Sequence, residues 1–133
     1  MAFKHELFIP FHLGDPAQIL FFAHTFTLAH EAYEQFVCKH LNIPWSDWFQ
    51  NSDWIVPIKH AEANYIKPLF AGIPCLINLT IVDIKNTSFS LLYQFSQNNL
   101  ECCLVKTIHV FFNKKNATKQ EIPSSIKEKL FLL

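Results

Sequence analysis

The sequence predicts an α+β domain in which one long helix covers a five-stranded antiparallel sheet. Three observations carry that expectation. A single stretch, Phe22 to Leu41, repeats apolar residues every three or four positions, as an amphipathic helix does. Four later stretches are rich in β-branched and aromatic residues, as strands are. The breaks between them are short, as antiparallel neighbours require. With 133 residues, half of them hydrophobic, and a mean hydropathy of +0.14, the chain has the length of one domain (1–133) and the material for a core.

Each element follows in order. Leu7 to Phe11 reads as a first strand, closed by the turn formers Gly14-Asp15-Pro16. In the helix, Phe22, Phe26, Ala29, Tyr33, Phe36 and His40 form the stripe expected to face the core. Asn42 to Pro44 stops it, and Trp45 to Asp53 is a loop or short helix. Strands are expected at Trp54–Pro68, Cys75–Lys85, Ser88–Gln97 and Glu101–Phe112, each paired with the next. Pro123-Ser124-Ser125 opens a small terminal helix. Ile77, Leu79 and Ile81 fall on one strand face and Leu76 and Val82 on the other. Two apolar faces call for a second burial partner, and another copy of the chain is expected, as a homodimer or a dimer of dimers.

Composition excludes several function classes. Eleven lysines balance eleven carboxylates, so the net charge is zero and a nucleic-acid partner is not expected. There is no arginine, which leaves any phosphate to lysines or backbone N–H groups. Gly14 and Gly72 are the only glycines, too few for a phosphate loop or dinucleotide fingerprint. No apolar run reaches the roughly 18 residues of a membrane span, and Lys4, His5, Glu6 and Pro10 interrupt any signal-peptide core. Cys38, Cys75, Cys102 and Cys103 make no C-x-x-C, so reduced thiols in a cytoplasmic protein are expected rather than zinc or disulfides.

Few residues can carry chemistry. Asp15 lies between a turn and the run Ile19-Leu20-Phe21-Phe22, where partial desolvation suits a base or nucleophile. Asp before Pro is also an ordinary helix N-cap, and both readings stand at this point. His30-Glu31-Ala32-Tyr33-Glu34 lacks the second histidine of a zinc-binding H-E-x-x-H, so no metal is expected. His30 and Glu31 suit a solvated face, a subunit contact or a ligand equally. His60, Glu62 and Asn64 form a polar row on one strand face, by default exposed or at an interface. Lys85, Lys114, Lys115 and Lys119 are candidates for an anionic ligand.

The segment Phe11-His12-Leu13-Gly14-Asp15-Pro16-Ala17-Gln18-Ile19-Leu20-Phe21-Phe22-Ala23-His24 resembles the Asp-Pro-Ala-Gly-Ile-Val-Phe signature of hot-dog-fold acyl-CoA thioesterases of the 4-hydroxybenzoyl-CoA type. His30 to Glu34, and Pro57 to Pro68 followed by Gly72, are similar to 1,4-dihydroxy-2-naphthoyl-CoA hydrolases in particular. The resemblance implies a hot-dog fold, active sites between subunits and hydrolysis of an aromatic or medium-chain acyl-CoA without a cofactor. It implies that Asp15 is the catalytic carboxylate, as nucleophile or general base, and that the Phe22 backbone N–H polarises the thioester carbonyl. It implies acyl contacts from His24, His30, Glu31 and His60, and phosphate contacts from Lys85 and Asn86, with Lys114 and Lys115 as further candidates. The chain departs from the pattern at Leu13, Gln18, Ile73 and Asn86. The alternative is a non-catalytic hot-dog module that binds an acyl thioester or a protein.

Overall fold

The computed structural model describes residues 2–133. Its strands are β1 (Phe3–Phe8), β2 (Trp54–Ile55), β3 (Ile58–Tyr65), β4 (Pro74–Ile84), β5 (Ser88–Gln97), β6 (Leu100–Val110) and β7 (Phe112–Asn113). The helices are α1 (Thr25–Lys39), α2 (Trp45–Phe49) and α3 (Ser124–Phe131), with short 3₁₀ turns at Phe11–Leu13 and Phe22–His24. Five strands form one antiparallel sheet in the order β1-β4-β5-β6-β3, and β2 pairs with β7 at its margin. With α1 laid across one face, this is the hot-dog arrangement.

The helix is phased differently from the expected stripe. Its buried residues are Thr25, Leu28, Ala29, Ala32, Tyr33, Phe36 and Val37, whereas Phe22 and Phe26 are 67% and 40% exposed. The long helix starts only at Thr25, so Phe22 belongs to the preceding turn and is not in phase with the stripe. Opposite α1, the sheet presents Ile77, Leu79, Leu91, Tyr93, Phe95, Cys103 and Val105, all buried. Burial of each large side chain of this layer contributes roughly 1.5–3 kcal/mol. The outer face is mixed: half-buried Leu76, Leu92, Leu104 and Ile108 alternate with Asn78, Thr80, Gln94 and Lys106.

Two strand expectations change. The first strand begins at Phe3, not Leu7; Phe3, His5 and Leu7 turn inward and Lys4, Glu6 and Phe8 outward. An inward-facing histidine hid the alternation. The stretch Trp54–Pro68 is broken at Val56-Pro57, where proline offers no N–H and the chain passes from the β2–β7 pair to the edge strand β3. β3 and β4 are also not neighbours. β3 pairs with β6, and residues 66–73 cross the end of the sheet between them. Gly72 shapes that crossing with φ +86°, and a Cβ there would fall 2.5 Å from the Phe11 ring. The β5–β6 hairpin turns on Asn98 and Asn99, both at positive φ, as a two-residue loop demands. Among the described residues no helix is long and apolar enough to cross a membrane.

Candidate active site

Asp15 anchors its own loop. Its Oδ1 accepts the N–H groups of Ala17 (2.8 Å) and Ile19 (3.0 Å), while its own N–H donates to the Ile19 carbonyl (2.8 Å). Pro16 sets the first corner of this turn and Gln18 completes it at φ +64°, with its N–H donating to the Asp15 carbonyl. The expected glycine position is therefore left-handed, and a glutamine occupies it. Asp15 does not cap α1; that helix begins at Thr25 with His24 at its N-cap and no side-chain cap. The N-cap reading is corrected to a turn-forming carboxylate.

The second oxygen is what can do chemistry. Oδ2 accepts no hydrogen bond among the described residues. Asp15 lines a cavity of about 500 Å³ whose other walls are Ile19, Leu20, Phe21, Phe22, Tyr65 to Pro68 and Leu69. That size lies within the roughly 300–1,000 Å³ of small-molecule sites, and the lining is mostly apolar, as such sites are. Phe22 opens its 3₁₀ turn, so its N–H has no acceptor within the turn, and it meets no other acceptor among the described residues. A carboxylate oxygen and an unsatisfied N–H beside one apolar cavity form the pair a carbonyl-addition reaction uses.

Tyr65 and Lys67 were not among the residues singled out, although both lie in the Pro57–Pro68 segment. The Tyr65 hydroxyl hydrogen-bonds with Thr25 Oγ1 at 2.7 Å, fixing the ring against the start of α1. Lys67 forms no ion pair within 4 Å among the described residues. Their signal was the end of an edge strand, visible only once the strand order is known.

The other candidates lie elsewhere in the protomer. His24 is half-buried with its ring 6.1 Å from Phe21, but does not line the cavity. His30 Nδ1 hydrogen-bonds with Glu34 at 2.9 Å and the ring packs on Tyr33 and Phe49. Glu31 Oε1 lies within hydrogen-bond distance of His5 Nε2, at 3.3 Å. His60 pairs with Glu62 at 3.1 Å on β3. Among the described residues no group of three or more His, Cys, Asp or Glu could hold a metal ion.

The lysines also regroup. Lys85 joins Lys59, Lys106, Lys119 and His60 around a second groove of about 420 Å³, with Glu62 as its one carboxylate. Asn86 instead reaches Glu121 at 3.5 Å, Lys114 donates to the Asn51 carbonyl at 3.1 Å, and Lys115 is exposed outside the groove. Lys59, Lys106 and Lys119 come from three distant stretches, which is why spacing along the chain did not join them.

Toward the other end of β6, the core holds a histidine. His109 is fully buried, stacked on Phe89 (4.8 Å) and against Tyr33 (4.4 Å). Its Nε2 hydrogen-bonds with Thr107 Oγ1 at 2.7 Å, and Nδ1 has no partner among the described residues. Burial, with His30 nearby, pushes its pKa down to about 3.

A family model described as the thioesterase-like superfamily matches residues 10–130. A 1,4-dihydroxy-2-naphthoyl-CoA hydrolase of Crocosphaera subtropica is 35% identical over 123 residues, spanning 90% of this chain and 89% of that protein. One of the same name from Rippkaea orientalis is 33% identical over 114 residues, or 84% and 80% of the two chains. Among solved structures, a 1,4-dihydroxy-2-naphthoyl-CoA thioesterase from Synechocystis superposes with a TM-score of 0.90 at 23% identity, covering 100% of this chain and 98% of that one. A gentisyl-coenzyme A thioesterase superposes at 0.84, also 23% identical, covering 96% and 98%.

Proposed function

The chain belongs to the thioesterase-like superfamily, and from that premise we propose that it hydrolyses an aromatic acyl-CoA of the 1,4-dihydroxy-2-naphthoyl class. The observation that carries this reading is Asp15, with one oxygen tied to the loop and the other unengaged beside an apolar cavity. The Phe21 and Phe22 rings, 5.0 Å apart, offer an aromatic wall for a fused-ring acyl group. The two N–H bonds to Oδ1 hold the carboxylate in one orientation and leave Oδ2 for the chemistry. Oδ2 then either adds to the thioester carbonyl or takes a proton from the water that does. The Phe22 N–H stabilises the oxygen that becomes negative, and collapse of the adduct expels the thiolate, which takes up a proton. When Oδ2 is the nucleophile, the collapse leaves an acyl anhydride on Asp15 that water then hydrolyses; when water is the nucleophile, the acid forms directly. The free acid and coenzyme A thiol are the products.

The lysine groove supplies the grip on the phosphates of coenzyme A, in a chain without arginine. Along β3 it lies about 20 Å from the cavity, six residues at the strand rise. Antiparallel pairing of two β3 edges brings one subunit's groove toward the other's cavity. The working unit in this reading is a homodimer, with His60 acting across its boundary; a cytoplasmic location is proposed separately, from the four cysteines being free thiols. His30 and Glu31 remain secondary candidates for acyl contact.

The test is release of free thiol from a panel of acyl-CoAs. Asp15→Asn should lower kcat by about 10²–10⁴-fold in a folded protein. In the same assay, KM should rise with added salt while kcat holds, because a lysine grip is screened. An active Asp15→Asn variant removes the mechanism. Tight binding of acyl-CoA without release by the wild type restores the binding-module reading.

A further inference from the structure

The loop that carries Asp15 is not part of the five-stranded sheet, so something else must hold it in place. Its contacts run to the crossing segment: Leu20 N–H donates to the Leu69 carbonyl (2.7 Å), Ala71 N–H donates to the Gln18 carbonyl (2.8 Å), and Ile19 bridges Phe70. That segment lies between β3 and β4 and pairs with neither. Backbone bonds hold its two ends, from Ile66 and Lys67 N–H to the Cys102 carbonyl and from Gly72 N–H to the Ile9 carbonyl, and a side chain anchors its middle. Gln97, at the end of β5 and 5% exposed, accepts the Phe70 N–H on Oε1 at 2.8 Å and donates from Nε2 to the Phe70 carbonyl at 2.9 Å. One carboxamide thus satisfies both backbone groups of Phe70, as a neighbouring strand would.

We propose that Gln97 is a positioning residue for Asp15, acting through Phe70 and the paired stretch Gln18–Leu20; the proposal rests on the reading of Asp15 as the catalytic carboxylate. Gln97 does not line the Asp15 cavity, and so contacts neither substrate nor reacting atoms. The relay is continuous. Gln97 fixes Phe70, the residues on either side of Phe70 fix Gln18 and Leu20, and the Ile19 N–H between them holds Asp15 Oδ1. Only a carboxamide supplies donor and acceptor together at this reach. Glutamate keeps the acceptor and loses the donor, and methionine keeps the shape and loses both.

The experiment compares Gln97→Met, Gln97→Glu and Gln97→Ala in the full chain. Amide hydrogen exchange should accelerate at least tenfold at Leu20 and Ala71, with exchange at Tyr93 and Val105 unchanged. Thiol release should show kcat reduced about tenfold or more at unchanged KM, since small misplacements of a reacting group are costly. Gln97→Glu, which sets a carboxylate oxygen against the Phe70 carbonyl, should lose at least as much as Gln97→Met. In an Asp15→Asn background the same substitutions should change the residual rate no further. Equal losses with and without Asp15, uniform acceleration of exchange, or an unchanged kcat in a folded Gln97→Met protein would each overturn the proposal. If the wild type releases no thiol, the functional reading fails and exchange at Leu20 and Ala71 alone decides whether Gln97 governs the loop.

Discussion

At Gln18 the chain places a side chain where the backbone is left-handed. For a residue other than glycine this conformation costs about 1 kcal/mol or more, and here it sits three positions from the proposed catalytic carboxylate. Gln18→Gly should therefore raise stability by about 1 kcal/mol, or Tm by about 4 °C, read by thermal unfolding. A fall in Tm would mean that the glutamine contributes a contact worth more than the strain. The same residue shows how far the site was legible. Asp15 stands out because Asp-Pro-Ala before an apolar run resembles a thioesterase signature; on residue chemistry alone it reads equally well as an ordinary cap. What its oxygens bond is not legible, because Asp-Pro opens a helix and a tight turn equally well, and only the distance to Thr25 separates them.

Among the elements, β3 is the outer strand of the sheet on the side away from β1, and seven of its eight residues are exposed or nearly so, with Ala63 half-buried. An uncovered edge invites pairing. Sedimentation should return a two-subunit mass at micromolar concentration, and Ala61→Glu, which sets like charges opposite one another across the two-fold axis, should shift it toward one subunit. A one-subunit wild type would remove the composite site. The element types were readable from period and residue type, and so were the helix stop near Asn42 and the terminal helix after Pro123. The strand order was not, since the Ala71-Gly72-Ile73-Pro74 break looks like a hairpin. At the middle of the crossing, Gln97, far along the chain, completes Phe70, and no local pattern reports that bond.

For the whole molecule, the buried His109 couples stability to pH. Its folded pKa of about 3 lies below the ordinary 6.5, so the unfolded chain binds a proton that the folded one refuses. The stabilising effect is complete above about pH 6.5 and is lost as pH falls toward 3, at up to about 1.4 kcal/mol per unit. Denaturant unfolding of wild type and His109→Phe at pH 7 and pH 4.5 should show the wild type losing about 2 kcal/mol more than the variant. Parallel losses in the two proteins would assign the acid sensitivity to other groups. The histidine itself was hidden in a strand pattern of β-branched residues, where its burial between Phe89 and Tyr33 could not be told from exposure.

The permanent cations of the groove, Lys59, Lys85, Lys106 and Lys119, are all primary amines. Guanidinium groups resist acyl transfer, whereas an amine near a thioester is a competing acceptor. Each amide formed there would erase one positive charge. A thioester hydrolase would thus carry the proposed coenzyme A grip in the one cationic form that such compounds can cap, and acetylation of these four side chains should loosen the carrier while leaving the proposed catalytic Asp15 untouched.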